Sequence, residues 1–302
     1  MRAILFLPAS QAWQEQGGRV GAFLTDKVRE KAAVWVKISG NARSAPQTNS
    51  DRAAVCSGDE KLTSVLILGS APYAVQAADW PREAFDHVVV INNAWRIRSD
   101  WSHLIYPEDF PEDRRPAKIR PDQYVVTAED YVPAQNAYGG FVYAGGTMAF
   151  TAGYWALHAL NPSRLCYFGC DMVYPAAGQT HFYGTGTADP LRDDVTLANL
   201  PAKARRLEYF AARQGCAMVN LSTKESVLPY QRRTLDRVST AQASEFCQAD
   251  VAEALAQEEA LGYLVPSGRY WTEMDRFDSG AIARVDAAWL RCFEPELAML
   301  GS

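Results

Sequence analysis

The stretch 141–183, FVYAGGTMAFTAGYWALHALNPSRLCYFGCDMVYPAAGQTHFY, carries a whole turn, helix, strand and loop unit, and its reading decides the fold. Ala144-Gly145-Gly146-Thr147 is a glycine-rich turn, and it leads into a segment where Met148, Tyr154, Trp155, Leu157 and Leu160 recur near the helical period. Asn161-Pro162 ends that helix, because proline restricts the residue before it and cannot continue the hydrogen-bond ladder. The run 165–168 is short, apolar and partly aromatic, as a buried parallel strand should be. Gly169-Cys170-Asp171 then falls at the carboxyl end of that strand, where doubly wound sheets place ligands and polar groups. The loop that follows, 175–194, is rich in Gly, Thr, Pro and Asp and holds His181 between Thr180 and Phe182-Tyr183.

Working outward, 65–68 and 88–91 are further buried-strand runs at the spacing of a βαβ unit. The first leads into Gly69-Ser70-Ala71-Pro72 and the second into Asn92-Asn93. A dinucleotide fingerprint would need three glycines in the first turn and an acid near the end of the second strand. This chain offers Ser70 with backbone amides, and two carboxamides that either tie down a loop or donate and accept toward a base or sugar edge. Short strands are expected at 104–106 and 124–127, with 113–121 an exposed excursion and 131–143 a substrate-side loop. Residues 197–214 show helical periodicity closed by Gly215. The run 217–221 should be the last parallel strand, with a polar turn at 222–226. Two amphipathic helices at 241–261 and 279–300 would form a cap or an oligomer surface.

The fold expected is therefore α/β and Rossmann-like: a mostly parallel sheet with helices on both faces and a helical C-terminal appendage. Residues 1–61 read as a helical segment and polar linker, 62–235 as the Rossmann-like sheet domain, and 236–302 as the helical cap. The amphipathic stretch 11–38 favours packing over a membrane surface, since Asp26 and Glu30 dilute its basic face.

Composition excludes several classes. A formal charge of -5 argues against nucleic-acid binding, which needs a basic surface to displace counterions. The six cysteines contain no CxxC pair and suit reduced thiols. The apolar run 3–7 is too short for a membrane span or a signal core. A cytoplasmic protein is expected, with room for peripheral contact at the inner membrane and for a homo-oligomer.

Three blocks resemble the small bacterial CMP-sialic-acid-dependent sialyltransferases and the related flagellin nonulosonate transferases. They are Ile67-Leu68-Gly69-Ser70-Ala71-Pro72, Ile91-Asn92-Asn93-Ala94-Trp95, and Gly145-Gly146-Thr147-Met148 leading by helix and strand to Gly169-Cys170-Asp171. They span roughly 62–222, and it is their order and spacing that carry the likeness. The resemblance implies that Ser70 and Asn93 contact the CMP moiety. It implies too that Gly145, Gly146 and Thr147 cradle phosphate, while Gly169, Cys170 and Asp171 meet cytidine or ribose. The donor would carry a sialic-acid-like or Kdo-like sugar and the acceptor would be a glycan or glycolipid. The chain departs from the family where Gly69-Ser70-Ala71-Pro72-Tyr73 replaces Gly-Asn-Gly-Pro-Ser, where Pro107 replaces an Asn, and where Asp193-Asp194-Val195-Thr196 lacks the family's histidine.

Transfer from such a donor requires a base for the acceptor hydroxyl and groups to stabilise the departing phosphate. His181 is the candidate base, against the alternative of a solvated loop histidine. Asp171 is a second base candidate, a ribose acceptor or a cap. Tyr174 and Tyr183 either donate to the leaving phosphate or form an aromatic rim. No strand-end acidic pair calls for a metal, and no cofactor is expected beyond the donor. Two rivals stand beside this reading: a hydroxymethylpterin pyrophosphokinase-like enzyme using ATP and Mg²⁺, and a non-catalytic nucleotide-binding protein.

Overall fold

In the computed structural model, residues 62–174, 178–185 and 193–293 are described, and they belong to one compact unit. The expected helix at 11–38 and the linker after it, Cys56, and the end of the last helix beyond 293 lie outside the described residues. Seven strands form one sheet: β1 (Ser64–Leu68), β2 (His87–Ile91), β3 (His103–Ile105), β4 (Tyr124–Val126), β5 (Arg164–Phe168), β6 (Ala217–Asn220) and β7 (Gln231–Arg232). All six pairings are parallel and the order is β4-β3-β2-β1-β5-β6-β7. The chain winds outward from β1 to β4, then returns to the other side of β1 for β5. This reversal places a topological switch point between the carboxyl ends of β1 and β5.

The alternation of strand side chains divides the core into two layers. Val65, Ile67, Val89, Leu165 and Tyr167 face the side covered by α-helices, while Leu66, Leu68, Val88, Val90 and Phe168 face the other. The first side is covered by α1 (Ala128–Asn136), α2 (Phe141–Ala144), α3 (Met148–Leu160) and α4 (Leu200–Arg213), with α5 (Gln248–Leu261) and α6 (Ser279–Arg291) packed beyond. The second is covered by 3₁₀ segments, chiefly Pro72–Asp79. Ala74 and Ala77, three apart, lie on one side of that segment and are fully buried, as the three-residue turn demands.

Two sequence expectations are corrected. Residues 131–143 are not a loop but the greater part of α1 and α2, joined by Gly139 and Gly140 at φ of +91° and +85°. The signal lies upstream: Asp130 accepts the Thr127 backbone N–H at 3.1 Å, closing the first turn, and the ladder tolerates Pro133 within a helix of 9 residues. Nor is β6 the sheet's edge, because Asn220 and Val219 pair with β7, whose two polar residues carry no apolar pattern. Elsewhere the expected stops act as such. Asn161 caps α3 in the left-handed conformation at φ 43°, and Gly215 follows α4 at φ +76°.

The C-terminal helices share the core of the sheet domain. Trp289 and Val285 of α6 and Val251 and Ala254 of α5 belong to the same apolar cluster as β1 and β5. Among the described residues no helix is long and apolar enough to cross a membrane.

His87 and His103 open adjacent strands with ring centroids 5.4 Å apart, and His103 also packs 5.0 Å from Trp155. Burial first, and then His87, push the His103 imidazole down to about 4. A base depressed on folding leaves stability unchanged above the ordinary imidazole range and weakens it as pH falls toward 4, where only the unfolded chain takes up the proton. We expect up to roughly 3 kcal/mol of stability to be lost between about pH 6.5 and 4 through this residue. Urea titrations across that window should be flatter for His103→Phe; an identical pH slope would show that other groups set it.

Candidate active site

At the switch point the two strand-end loops touch backbone to backbone. The Gly69 N–H donates to the Phe168 carbonyl at 2.8 Å, and the Ala71 N–H donates to that of Gly169 at 3.1 Å. A Cβ on Gly69 would lie 2.3 Å from the Gly169 carbonyl oxygen, and one on Gly169, at φ +73°, would lie 2.7 Å from Ala74 Cβ. Both glycines are thus required by close approach, which opens a cleft of about 260 Å³ above them.

Most of the sequence-selected residues meet in that cleft. Gly69, Ser70, Asn92, Asn93, Thr147, Gly169, Cys170, Tyr174, His181 and Tyr183 all line it. Asn92 and Asn93 follow β2 in a single 3₁₀ turn, with Asn92 at φ 50°. Their carboxamide oxygens are buried without a hydrogen-bond partner, and Asn93 is only 3% exposed. An unmatched buried acceptor costs about 1–3 kcal/mol, and such groups gather where a ligand supplies the missing donor. Met172, also lining the cleft, has φ 55°, a conformation that a bulky side chain rarely holds without external constraint.

Thr147 caps α3, its hydroxyl accepting the Phe150 N–H at 3.3 Å, and Thr147, Met148 and Ala149 present the amino end of this 13-residue helix to the cleft. Its partial positive charge suits a phosphate. The two glycines before it have other duties. Gly145, at φ +89°, packs on Phe150 and Lys203 and does not line the cleft. The Gly146 N–H donates to Thr196 Oγ1 at 3.1 Å, and a Cβ there would meet the Tyr270 hydroxyl at 2.1 Å. The amino end of the helix, not the glycine turn, is what faces the cleft.

His181 lies over the cleft on a loop tied to β1, since the Phe182 N–H donates to the Ser70 carbonyl at 3.0 Å. The imidazole is 8% exposed, with Nδ1 2.9 Å from Thr180 Oγ1 and its ring stacked 4.9 Å from Tyr183. Tyr174 approaches the same ring at 6.1 Å. Asp171 is placed differently: it lines neither hollow. Its Oδ2 accepts from the Tyr73 hydroxyl and from Ser222 Oγ at 3.0 Å, and the Tyr73 and Ser222 hydroxyl oxygens lie 2.7 Å apart. Burial, reinforced by Asp171, pushes the Tyr73 phenol far above its ordinary range. The group ties three strand ends together behind the cleft. Burial and then Asp171 also push the Cys170 thiol up, which makes it a packing group rather than a nucleophile.

Sequence reading missed Asp109, Phe110, Pro111 and Arg114, which line the cleft from the β3–β4 connection. Their signal was positional, because in a parallel sheet every carboxyl end opens to the same side. A larger hollow of about 500 Å³ adjoins the cleft and shares Pro107, Asp109, Thr147 and Met148 with it. Asp194 and Tyr270 stand in its wall, with the Tyr270 hydroxyl donating to Asp194 Oδ2 at 2.8 Å. Among the described residues no group of three or more His, Cys, Asp or Glu side chains converges as a metal site would.

The fold and the cleft together define an α/β protein with a Rossmann-like parallel sheet and a ligand-sized cleft at its switch point. No protein-family model matches the chain, and neither a curated protein nor a solved structure does.

Proposed function

We propose that the protein is a glycosyltransferase that moves a sialic-acid-like or Kdo-like sugar from a CMP-activated donor to a glycan hydroxyl. The observation that carries this reading is the convergence of Ser70, the unmatched carboxamides of Asn92 and Asn93, the amino end of α3 and His181 on one cleft. Asn92 and Asn93 take the cytosine or ribose edge, and the amino end of α3 faces the phosphate. The acceptor oxygen forms the new bond to the anomeric carbon while its proton passes to His181. The bond from that carbon to the phosphate oxygen breaks, and its electron pair leaves with CMP. Tyr174 and Tyr183 supply hydroxyl donors for the charge that grows on the phosphate.

Asn93→Ala should weaken CMP binding by about 1–3 kcal/mol, the cost of a polar ligand group left unmatched. Calorimetry on a variant with unaltered melting decides it, and an unchanged Kd would remove Asn93 from the nucleotide site. A parallel melting assay with ATP and Mg²⁺ tests the pyrophosphokinase-like rival, because a ligand that binds only the folded chain raises its stability. Stabilisation by ATP-Mg²⁺ and none by CMP would overturn the proposal.

A further inference from the structure

We infer that the larger hollow is the acceptor subsite and that it takes an uncharged, hydroxyl-rich pyranose; this rests on the glycosyltransferase reading above. The hollow meets the cleft along Pro107, Asp109, Thr147 and Met148, so two ligands can touch at that wall. Its sides are aromatic. Phe141 and Tyr270 stack with centroids 6.2 Å apart and 20° between planes, Tyr131 meets Phe141 edge-on at 6.3 Å, and Trp271 packs 5.5 Å from Tyr270. Trp271 remains 56% exposed at the rim. A pyranose offers an apolar face of C–H bonds to such rings and hydroxyl donors around its edge.

Charge selects within the sugars. Among the described residues the hollow has three carboxylates, those of Glu108, Asp109 and Asp194, against the guanidinium of Arg269, so an anionic acceptor is repelled. Two of these carboxylates are already answered. Arg269 pairs with Glu108 at 3.3 Å, and Asp194 accepts from Tyr270 at 2.8 Å and from the Thr196 N–H at 2.8 Å. The carboxylate left open to a ligand, Asp109, is exposed to solvent, where pairing with a cation contributes little, so a cation gains little over a neutral ligand. Asp109 faces both hollows and is exposed, with no arginine or lysine paired to it among the described residues. Carboxylate oxygens only accept, and a sugar hydroxyl is the donor that suits one at the junction.

The test is binding to the full chain, with and without saturating CMP, by saturation-transfer NMR. The probes are neutral methyl hexopyranosides (glucoside, galactoside and mannoside), each beside its uronic acid and amino-sugar counterpart. At least one neutral glycoside should bind about tenfold tighter than its charged counterparts, and Trp271→Ala should weaken it about tenfold with the Kd for CMP unchanged. Trp271 is exposed, so the variant keeps its core. Equal or tighter binding of a charged counterpart, no glycoside binding while CMP binds, or unaltered glycoside binding in Trp271→Ala would each overturn the inference. Glycoside binding in a chain that ignores CMP would instead sink the nucleotide reading and leave the sugar hollow standing.

Discussion

His181→Ala lowers kcat by about 10²–10⁴-fold and leaves CMP affinity nearly unchanged, if the imidazole takes the acceptor proton in the transition state. The ring is placed for that role: it is almost buried over the cleft, oriented through Nδ1 by Thr180 at 2.9 Å, and held on the Tyr183 face. A histidine base works only while neutral, so the acid limb of the pH–rate profile should disappear in the variant. If His181 instead holds the donor phosphate, CMP affinity falls with the rate. Turnover within a few-fold of wild type would remove it from the chemistry. In that case Asp109, which faces both hollows, becomes the next residue to test. Asp171 is a weaker successor, because its Oδ2 is already held by Tyr73 and Ser222.

The second large effect lies away from the cleft. Glu258→Ala should destabilise the protein by about 3–5 kcal/mol, because it strands a guanidinium in the core. Arg206 is 1% exposed and forms a two-pronged pair with Glu258, Nε to Oε1 and Nη2 to Oε2, both at 2.7 Å. Its Nη1 donates to the Tyr154 hydroxyl at 2.9 Å and its Nη2 to the Tyr138 carbonyl at 2.5 Å. Trp289 Nε1 donates to Glu258 Oε1 at 2.7 Å, and Phe210 lies 4.8 Å from the guanidinium carbon. Burial by itself would push the Arg206 guanidinium down; Glu258 and Tyr154 more than offset that and raise it. The pair joins α4 to α5, and Trp289 of α6 shares it, so its loss should loosen the two helices that flank the Tyr270–Thr272 segment beside the larger hollow. At about 2–4 °C per kcal/mol for a chain of this size, the melting temperature should fall by roughly 6–20 °C. Glu258→Gln keeps the shape and one acceptor oxygen, so it should lose less. A fall of under about 2 °C for Glu258→Ala would show that Arg206 finds another partner or reaches water.

A wholly buried Lys203–Asp286 pair, Nζ to Oδ1 at 2.7 Å, ties α4 to α6 in the same way. Neither pair is legible from sequence spacing, since the partners stand 83 and 52 residues apart and each lies in an amphipathic helix where a charged residue reads as solvent-facing. Their burial is a property of the assembled helices.

What the chain determines by itself is local. The apolar runs at 65–68, 88–91 and 165–168 specify β1, β2 and β5, because strands covered on both faces need continuous apolar sequence. Asn161 and Gly215 specify helix ends through their tolerance of left-handed backbone. The glycines at 69 and 169 and the carboxamides at 92 and 93 were legible as strand-end groups, since parallel sheets collect ligand contacts there. Tertiary structure alone decided which of these groups share a cleft. It turned Asp171 back toward Tyr73 and Ser222, engaged the Gly146 amide with Thr196, and brought Asp109 to the wall between two hollows. It also drew the unpatterned pair Gln231–Arg232 into the sheet beside β6. The reason is physical: a strand end specifies where a side chain leaves the sheet, whereas its partner comes from a segment distant in sequence whose position is set by the packing of the whole core.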